Sequence, residues 1–319
     1  MSSTSGLPEG TVADAVKGNW VDRRAPVWSR PYLRLSRADR PIGTWLLLLP
    51  CWWSLALAAI HKGTFGLYEL WIGIGCALGA FVMRGAGCTW NDITDRHIDA
   101  KVARTKSRPL PAGQITLSRA IYWMIGQALI GLVILLTFQT AAILLGILSL
   151  VPVTIYPFAK RFTWWPQVFL GIAFNWGALL VWAAVTGSLG WPAVLLYLGG
   201  ISWTLFYDTI YAYQDIEDDA LIGVKSTARL FGDNSRVWLQ RFLVSAIALI
   251  GAAAVLATLN AGIFPLIISL LGVSSLACHL FWQISRFDVE NNEVLIHLFR
   301  SNRNAGLVVL LFFACAFFL

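Results

Sequence analysis

The sequence is poor in charge. Only 13% of its 319 residues are Asp, Glu, Lys or Arg, whereas a soluble globular domain carries roughly 25%. Apolar residues make up 57% of the chain. The shortage of charge excludes an ordinary soluble domain and predicts an integral membrane protein.

Common catalytic and targeting signatures are also missing. No His-Glu-x-x-His, Gly-x-Ser-x-Gly or P-loop string occurs, so zinc-protease, serine-hydrolase and P-loop chemistry have no support. The five cysteines form no Cys-x-x-Cys pair, and we interpret them as small apolar fillers. Residues 1–20 hold one Lys against two acids, which is atypical of a mitochondrial presequence. We therefore expect a bacterial inner (plasma) membrane rather than a mitochondrial inner membrane.

Apolar runs of membrane-spanning length recur along the chain. Windows of about 20 apolar residues predict an all-α, polytopic bundle with nine spans at 42–60, 67–87, 117–138, 140–157, 165–185, 191–210, 237–259, 262–284 and 304–319. The chain then divides into a polar N-terminal segment, 1–40, and a transmembrane domain, 41–319.

The basic residues fit this topology better than they fit a nucleic-acid surface. The net charge is +7, but a nucleic-acid protein would cluster its bases on one exposed face. Here 23 of the 24 Lys and Arg residues fall in segments on one side of the predicted spans, and Lys62 alone falls on the other. Cytoplasmic loops carry such an excess. The N-terminus is therefore predicted to be cytoplasmic, with membrane lipid and no nucleic acid as partner.

The carboxylates are concentrated in two cytoplasmic stretches. Of 17 Asp and Glu residues, eight lie at 91–99 or 207–219, after the second and sixth predicted spans. If helices continue through these stretches, each presents acids on one face: Asp92, Asp95 and Asp99, and Asp208, Asp215 and Asp219. Mg²⁺ with substrate phosphate oxygens would relieve their repulsion. A solvated acidic loop tip is the alternative, although charge at the end of an apolar span is costly to bury.

The two acidic stretches resemble each other and are followed by bases. Asn91-Asp92-Ile93-x-Asp95 matches Gln214-Asp215-Ile216-x-Asp218 four spans later, which suggests a duplicated four-helix unit. The bases that follow are Lys101, Arg104, Lys106 and Arg108 after the first stretch, and Lys225 and Arg229 after the second. Acid, Mg²⁺ and base together predict a diphosphate-binding site. Topology signals alone are the alternative for any single base.

These motifs identify a family. Asn-Asp-x-x-Asp-x-x-x-Asp from Asn91 and Tyr-Asp-x-x-Tyr-Ala-x-x-Asp-x-x-Asp-Asp from Tyr207 resemble those of the UbiA superfamily of intramembrane prenyltransferases. Flanking strings such as Arg40-Pro41-Ile42-Gly43 and Ser107-Arg108-Pro109 are similar to the branch that prenylates 4-hydroxybenzoate in ubiquinone biosynthesis. The resemblance covers roughly residues 30–305.

The resemblance implies a central cavity capped by cytoplasmic helices, and it implies residue roles. Two Mg²⁺ ions on a polyprenyl diphosphate would be held by Asn91, Asp92, Asp95, Asp99, Asp215 and Asp219. The catalytic acids would be Asp92, Asp95, Asp208 and Asp215, with Asp208 or Asp215 accepting a hydrogen bond from the hydroxyl of 4-hydroxybenzoate. Substrate contacts would add Tyr211, Lys101, Arg104, Lys106, Arg108 and Lys225, and the benzoate carboxylate would pair with Arg40 or else Arg161.

Other functions stay open. A homogentisate, naphthoate or porphyrin-type acceptor would use the same Asp motifs. A transporter built from repeats could also place acids in a membrane cavity, but near the bilayer midplane, whereas these acids lie at span ends. A CDP-alcohol phosphotransferase would need an Asp-Gly and Ala-Arg run ahead of its later Asp pair, and that run does not occur.

Overall fold

The computed structural model describes Val12, Ala15, residues 18–101 and residues 105–319, excluding the side chains of residues 218 and 222. All regular structure in this part of the chain is helical. The predicted all-α class is confirmed. Arg104 lies outside the described residues, so its predicted role stays a prediction.

Fourteen α-helices occur in the described residues. They are α1 (Trp20–Arg24), α2 (Arg30–Leu35), α3 (Ile42–Lys62), α4 (Leu67–Asp99), α5 (Leu117–Leu135), α6 (Thr140–Leu148), α7 (Leu150–Phe162), α8 (Pro166–Thr186), α9 (Trp191–Ala212), α10 (Ile216–Ile222), α11 (Thr227–Phe231), α12 (Ser235–Thr258), α13 (Ile263–Arg286) and α14 (Asn292–Phe317). Single 3₁₀ turns cover Val27–Ser29, Tyr213–Asp215 and Gly232–Asn234.

Eight stretches of the described chain are long and apolar enough to cross a membrane. They match the first eight predicted spans, with α6 and α7 forming one and α11 and α12 another. Helix α14 occupies the position of the ninth but begins at Asn292, and its first half carries Glu293, Arg300 and Arg303. The count of nine spans therefore stays a prediction. Helix α4 is 33 residues long and continues through the first acidic stretch.

The described chain divides into two compact units. The first contains the described residues up to Thr44 together with Leu78–Val133. Its interior includes Leu35, Ile115 and Ala120. The Trp123 indole donates a 2.8 Å hydrogen bond to the Ser36 hydroxyl, which also bonds with Gln127. These contacts fix the end of α2 against α5.

The second unit contains Trp45–Ala77 and Ile134–Leu319. Helix α9 packs against α8, α12 and α14 in this unit, and α13 packs against α12 and α14. Trp53 stacks on Trp203 at 4.9 Å between ring centroids. The Trp203 indole donates a 3.0 Å hydrogen bond to Asn302, which also accepts one from Gln283. This buried network gives the polar side chains of Asn302 and Gln283 partners inside the second unit.

Candidate active site

The first acidic stretch forms the last turns of α4. No Gly or Pro interrupts the helix from residue 88 onward, so the acids keep the i, i+3, i+7 spacing of one helix face. Asp92, Asp95 and Asp99 are 0%, 2% and 5% exposed. The Thr105 hydroxyl bonds to the Asp99 carbonyl at 2.9 Å where the helix ends. The predicted shared face is therefore present, and its acids are buried.

Asp92 is paired with an arginine that the sequence analysis did not select. The Arg37 guanidinium donates to both oxygens of Asp92, at 2.9 and 2.5 Å. Arg37 is also the one described residue other than glycine with positive φ, at 57°. A left-handed backbone costs an L-residue roughly 1 kcal/mol or more. A buried, forked ion pair at a strained residue marks this position as functional.

Arg108 connects two of the acids. Its guanidinium lies 2.9 Å from Asp99 Oδ2 and 3.3 Å from Asp92 Oδ1. The turn that presents it begins with a 2.9 Å hydrogen bond from its own N–H to the Thr105 carbonyl and ends at Gly113, with φ of 69°. The structure thus brings predicted Arg108 to the predicted acids. Lys101 and Lys106 are exposed.

An amide at the start of each acidic motif is buried without a hydrogen-bond partner in the described part of the chain. In the first motif the atom is Asn91 Oδ1, and at the matched position of the second motif it is Gln214 Nε2. An orphaned buried polar atom in a native fold calls for a ligand, an ion or a water. Amide oxygen and nitrogen are interchangeable by a flip. Each amide is therefore suited to face a polar ligand.

The second acidic stretch is built differently, because a 3₁₀ turn interrupts its helix. Helix α9 ends at Ala212, a 3₁₀ turn covers Tyr213–Asp215, and α10 begins at Ile216. A 3₁₀ turn advances about 20° more per residue than an α-helix, so three residues rotate the later acids by about 60°. The condition for a shared face, a helix that continues through the stretch, is therefore not met for Asp208, Asp215 and Asp219.

The bases after the second motif contact backbone and indole. Lys225 Nζ lies 3.4 Å from the Phe162 carbonyl, and its backbone N–H donates to Lys160. Arg229 donates to the carbonyls of Asp219 and Val224. Both cations lie over the Trp164 ring, at 5.9 and 5.3 Å from its centroid. They fasten the chain after α10 to the turn before α8.

Three aromatic rings lie beside the second motif. Phe299 of α14 is 4.4 Å from predicted Tyr211 and 5.8 Å from Tyr207, between centroids. Ring faces attract cations. The sequence analysis missed Phe299 because it is distant in the chain from either tyrosine.

The two arginines predicted for the benzoate carboxylate differ in surroundings. The Arg40 guanidinium donates hydrogen bonds to both carboxylate oxygens of its neighbour Asp39, at 3.2 and 3.1 Å. Arg161, by contrast, is exposed and lies over the Phe158 ring. A third arginine was not selected. Arg84 lies two helical turns before Asn91, where its guanidinium packs against Gly43: a Cβ on Gly43 would come within 2.6 Å of it.

No group of three or more His, Cys, Asp or Glu side chains in the described residues could enclose a metal by itself. A divalent cation would therefore complete its coordination with substrate oxygens, amides and water, as Mg²⁺ commonly does.

Comparison with known proteins decides the family. The UbiA prenyltransferase family model matches residues 47–318. The chain belongs to the UbiA prenyltransferase family. The family that the sequence analysis inferred is thereby confirmed, and this UbiA-family chain is a multi-pass membrane protein.

Three curated relatives of this UbiA-family chain carry the same name. "4-hydroxybenzoate polyprenyltransferase, mitochondrial" of Bos taurus is 47% identical over 91% of this chain and 76% of its own length. The protein of that name from Aedes aegypti is 48% identical over 88% of this chain, which spans 62% of the mosquito protein. The Homo sapiens protein is 46% identical over 90% of this chain and 75% of its own.

Solved structures share the fold. An apo UbiA homolog from Aeropyrum pernix superimposes with a TM-score of 0.68 at 24% identity, over 84% of this chain and 96% of its own. A UbiA homolog from Archaeoglobus fulgidus, bound to GPP and Mg²⁺, gives 0.65 at 16% identity, over 91% and 100%.

Proposed function

We propose that this chain transfers a polyprenyl group from polyprenyl diphosphate to 4-hydroxybenzoate, at the ring carbon ortho to the hydroxyl, in ubiquinone biosynthesis. The observation that carries the proposal is the buried constellation of Asp92, Asp95, Asp99, Arg37 and Arg108 on and beside α4. It occurs in a family whose curated members at 46–48% identity bear that name.

The donor set fits Mg²⁺. Carboxylate oxygens are the ligands that this ion prefers, and the buried, unpartnered Asn91 Oδ1 adds a neutral oxygen beside them. The Archaeoglobus homolog binds GPP and Mg²⁺. We propose that Asn91, Asp92, Asp95 and Asp99, together with Asp215 and Asp219, hold divalent cations with the diphosphate.

The chain's own residues prepare the departure of diphosphate. When bound, Mg²⁺ supplies Lewis-acid stabilisation of the leaving group. Arg108 already bridges Asp92 and Asp99, and rotation of its side chain would aim N–H donors at phosphate oxygens. Arg37 holds the Asp92 carboxylate in a fixed orientation by donating to both of its oxygens. Lys101, Lys106 and Lys225 would add positive charge around the anion, which aids its binding through longer-range attraction.

The acceptor attacks the allylic carbon as the bond to diphosphate breaks. Asp208 or Asp215 accepts the hydrogen bond of the 4-hydroxybenzoate hydroxyl, which raises electron density at the ortho carbon. After the new C–C bond forms, the ring proton at that carbon passes to the released diphosphate, and the ring regains its aromaticity. Tyr207, Tyr211 and Phe299 present ring faces close together, and such faces shield and attract an allylic cation.

A cation must hold the benzoate carboxylate, since bidentate pairing fixes a planar acid. Arg40 remains the first candidate and Arg161 the second. Arg84 joins them because its guanidinium is partly buried on α4, about 10 Å along the helix from Asn91. Arg40→Ala should raise the KM for 4-hydroxybenzoate roughly 30-fold and leave that for prenyl diphosphate nearly unchanged. The opposite pattern would make Arg40 a phosphate ligand.

The names of the relatives also bear on which membrane holds the chain. The relatives are named as mitochondrial proteins, which disfavours the bacterial plasma membrane that the sequence analysis preferred. We propose an inner membrane, bacterial or mitochondrial, with the Asp motifs on the side of the N-terminus. Cysteines at the exposed positions Lys106 and Asp233 should be labelled from one side and Thr64 from the other.

The direct test is product identification. Purified chain in lipid nanodiscs receives Mg²⁺, polyprenyl diphosphates of graded length and one aromatic acid at a time, and products are weighed by mass spectrometry. The proposal expects prenylated 4-hydroxybenzoate and released diphosphate. Product from homogentisate or a naphthoate alone would assign another acceptor. Mg²⁺-independent turnover would contradict the metal assignment, and solute flux across sealed vesicles without any product would favour the transporter.

A further inference from the structure

The segment before the first membrane span carries an exposed apolar tip. Val27 and Trp28 are 74% and 76% exposed. Arg23, Arg24 and Pro26, just before them, are exposed too. Trp is favoured at membrane–water interfaces, and arginine is attracted to anionic headgroups. The tip therefore has the composition of a surface that meets lipid.

Hydrogen bonds, an ion pair and a buried apolar cluster hold the backbone beneath the exposed tip in place. Asn19 caps α1, accepting a 3.1 Å hydrogen bond from the Asp22 N–H. Val21, Ala25 and Ala38 form a buried cluster under it. Asp22 pairs with the largely buried Arg34 at 2.7 Å, and Arg30 Nε donates to the Ala25 carbonyl at 2.9 Å. The exposed side chains thus stand on a packed base.

The base is also bonded to the segment that precedes the first span. Helix α2 ends at Leu35 and the first span begins at Ile42, so the connection between them is short. The Trp20 indole donates to the Ala38 carbonyl at 2.8 Å. Arg37, in the same connection, is paired with Asp92 of α4. These bonds fix the tip to the short segment that leads into the first span.

We infer that Arg23, Arg24, Val27 and Trp28 form an interfacial anchor. Val27 and Trp28 insert at the boundary between headgroups and acyl chains, and Arg23 and Arg24 bind the phosphates of anionic lipids. A second copy is a poor occupant, because a two-fold interface would oppose the same guanidinium groups. Two apolar side chains are also far too little area for a stable protein interface, whereas insertion into lipid requires no matching surface.

A site-specific fluorophore tests the anchor in the full-length chain. All five native cysteines are replaced by alanine, and Val27→Cys carries a polarity-sensitive dye. The protein is reconstituted in nanodiscs of phosphatidylcholine, or of phosphatidylcholine with about one third phosphatidylglycerol. Lipids with a nitroxide near the headgroup serve as quencher. The matched control is Glu290→Cys, an exposed position between α13 and α14.

The anchor predicts strong quenching at position 27, little at position 290, and about twofold or greater enhancement by phosphatidylglycerol at position 27. Arg23→Gln with Arg24→Gln should abolish the enhancement, and Trp28→Ser should reduce quenching in both lipids. Unchanged thermal unfolding in detergent verifies that these variants fold. Equal, weak quenching at positions 27 and 290 overturns the inference. Quenching at position 27 that changes neither with phosphatidylglycerol nor with the two arginine substitutions overturns it as well. If the dye at position 27 is shielded from water in detergent and this shielding disappears when the protein is diluted, the tip binds a second copy of the chain instead of lipid.

Discussion

The two acidic motifs are similar in amino-acid sequence but differ in backbone conformation. In the first, α4 runs unbroken to Asp99, and the acids pair with Arg37 and Arg108 in their own compact unit. In the second, a 3₁₀ turn separates α9 from α10, and Lys225 and Arg229 contact carbonyls and the Trp164 ring. Matched residues in a repeat can therefore take different structural roles.

This difference in backbone predicts that the two motifs contribute unequally to substrate binding. Buried carboxylates with forked guanidinium partners are preorganised, because little reorientation is needed when charge develops on a leaving group. The second motif instead crosses a 3₁₀ turn into the short α10, so its acids do not belong to one unbroken helix. We therefore expect the first motif to dominate binding of metal and diphosphate.

The largest expected effect is at Asp92. Asp92→Asn should lower kcat/KM for prenyl transfer by about 10²- to 10³-fold, because it removes a buried negative charge that the metal needs. Initial rates at saturating Mg²⁺ measure this. Asp233→Asn, an exposed acid outside both motifs, is the matched control and should stay within about twofold. A wild-type rate for Asp92→Asn would remove the first motif from the mechanism.

Arg37 tests whether the ion pair matters to stability. Arg37→Gln leaves Asp92 without its forked partner, and breaking a buried pair costs about 3 kcal/mol or more. Thermal unfolding in detergent should therefore shift down strongly. Lys225→Gln, which removes a contact to a carbonyl and a ring, should cost about 1 kcal/mol or less. Equal shifts for the two variants would show that the motifs are held alike.

Variants of Arg108 and Lys106 compare a cation that is paired with acids and a cation that is exposed to solvent. Arg108→Gln should raise the KM for prenyl diphosphate about 50-fold, since Arg108 lies against two of the acids. Lys106 is exposed, so Lys106→Gln should change that KM about threefold or less. Steady-state kinetics with varied diphosphate discriminate the two. The reverse order would place the phosphate near the exposed loop.

The smallest effect concerns Gly43. A Cβ there would lie 2.6 Å from the Arg84 guanidinium, so Gly43→Ala should displace Arg84 and raise the KM for 4-hydroxybenzoate about fivefold. Gly79→Ala, where a Cβ meets nothing within 4 Å, should leave that KM unchanged. If both variants behave as wild type, Arg84 does not hold the acceptor.

Periodicity made the first motif predictable. Asp92, Asp95 and Asp99 repeat with the helical period, so an unbroken helix suffices to put them on one face. The same reasoning does not extend through Asp215, because the spacing of the acids gives no sign of the 3₁₀ turn that interrupts the helix there. Length and apolar composition likewise predicted nine spanning stretches, and the described chain contains the first eight of them, since the bilayer fixes how long such a helix must be.

Long-range pairings were not predictable. Arg37 lies 55 residues before Asp92, and no local rule links them. A weak signal did exist, because Arg34, Arg37 and Arg40 are spaced by three just before the first span. The contact of Phe299 with Tyr211 joins residues of α14 and α9, which only the tertiary fold can supply.

The most direct test of the account is a binding measurement. Wild type, Asp92→Asn and Asp215→Asn are titrated calorimetrically with Mg²⁺, with and without an unreactive prenyl thiolodiphosphate. Mutual dependence is expected, with each ligand tightening the other by about tenfold or more, and this coupling should vanish in Asp92→Asn and weaken in Asp215→Asn. Diphosphate that binds Asp92→Asn as tightly as wild type, with or without Mg²⁺, would contradict a metal–diphosphate site at the first motif.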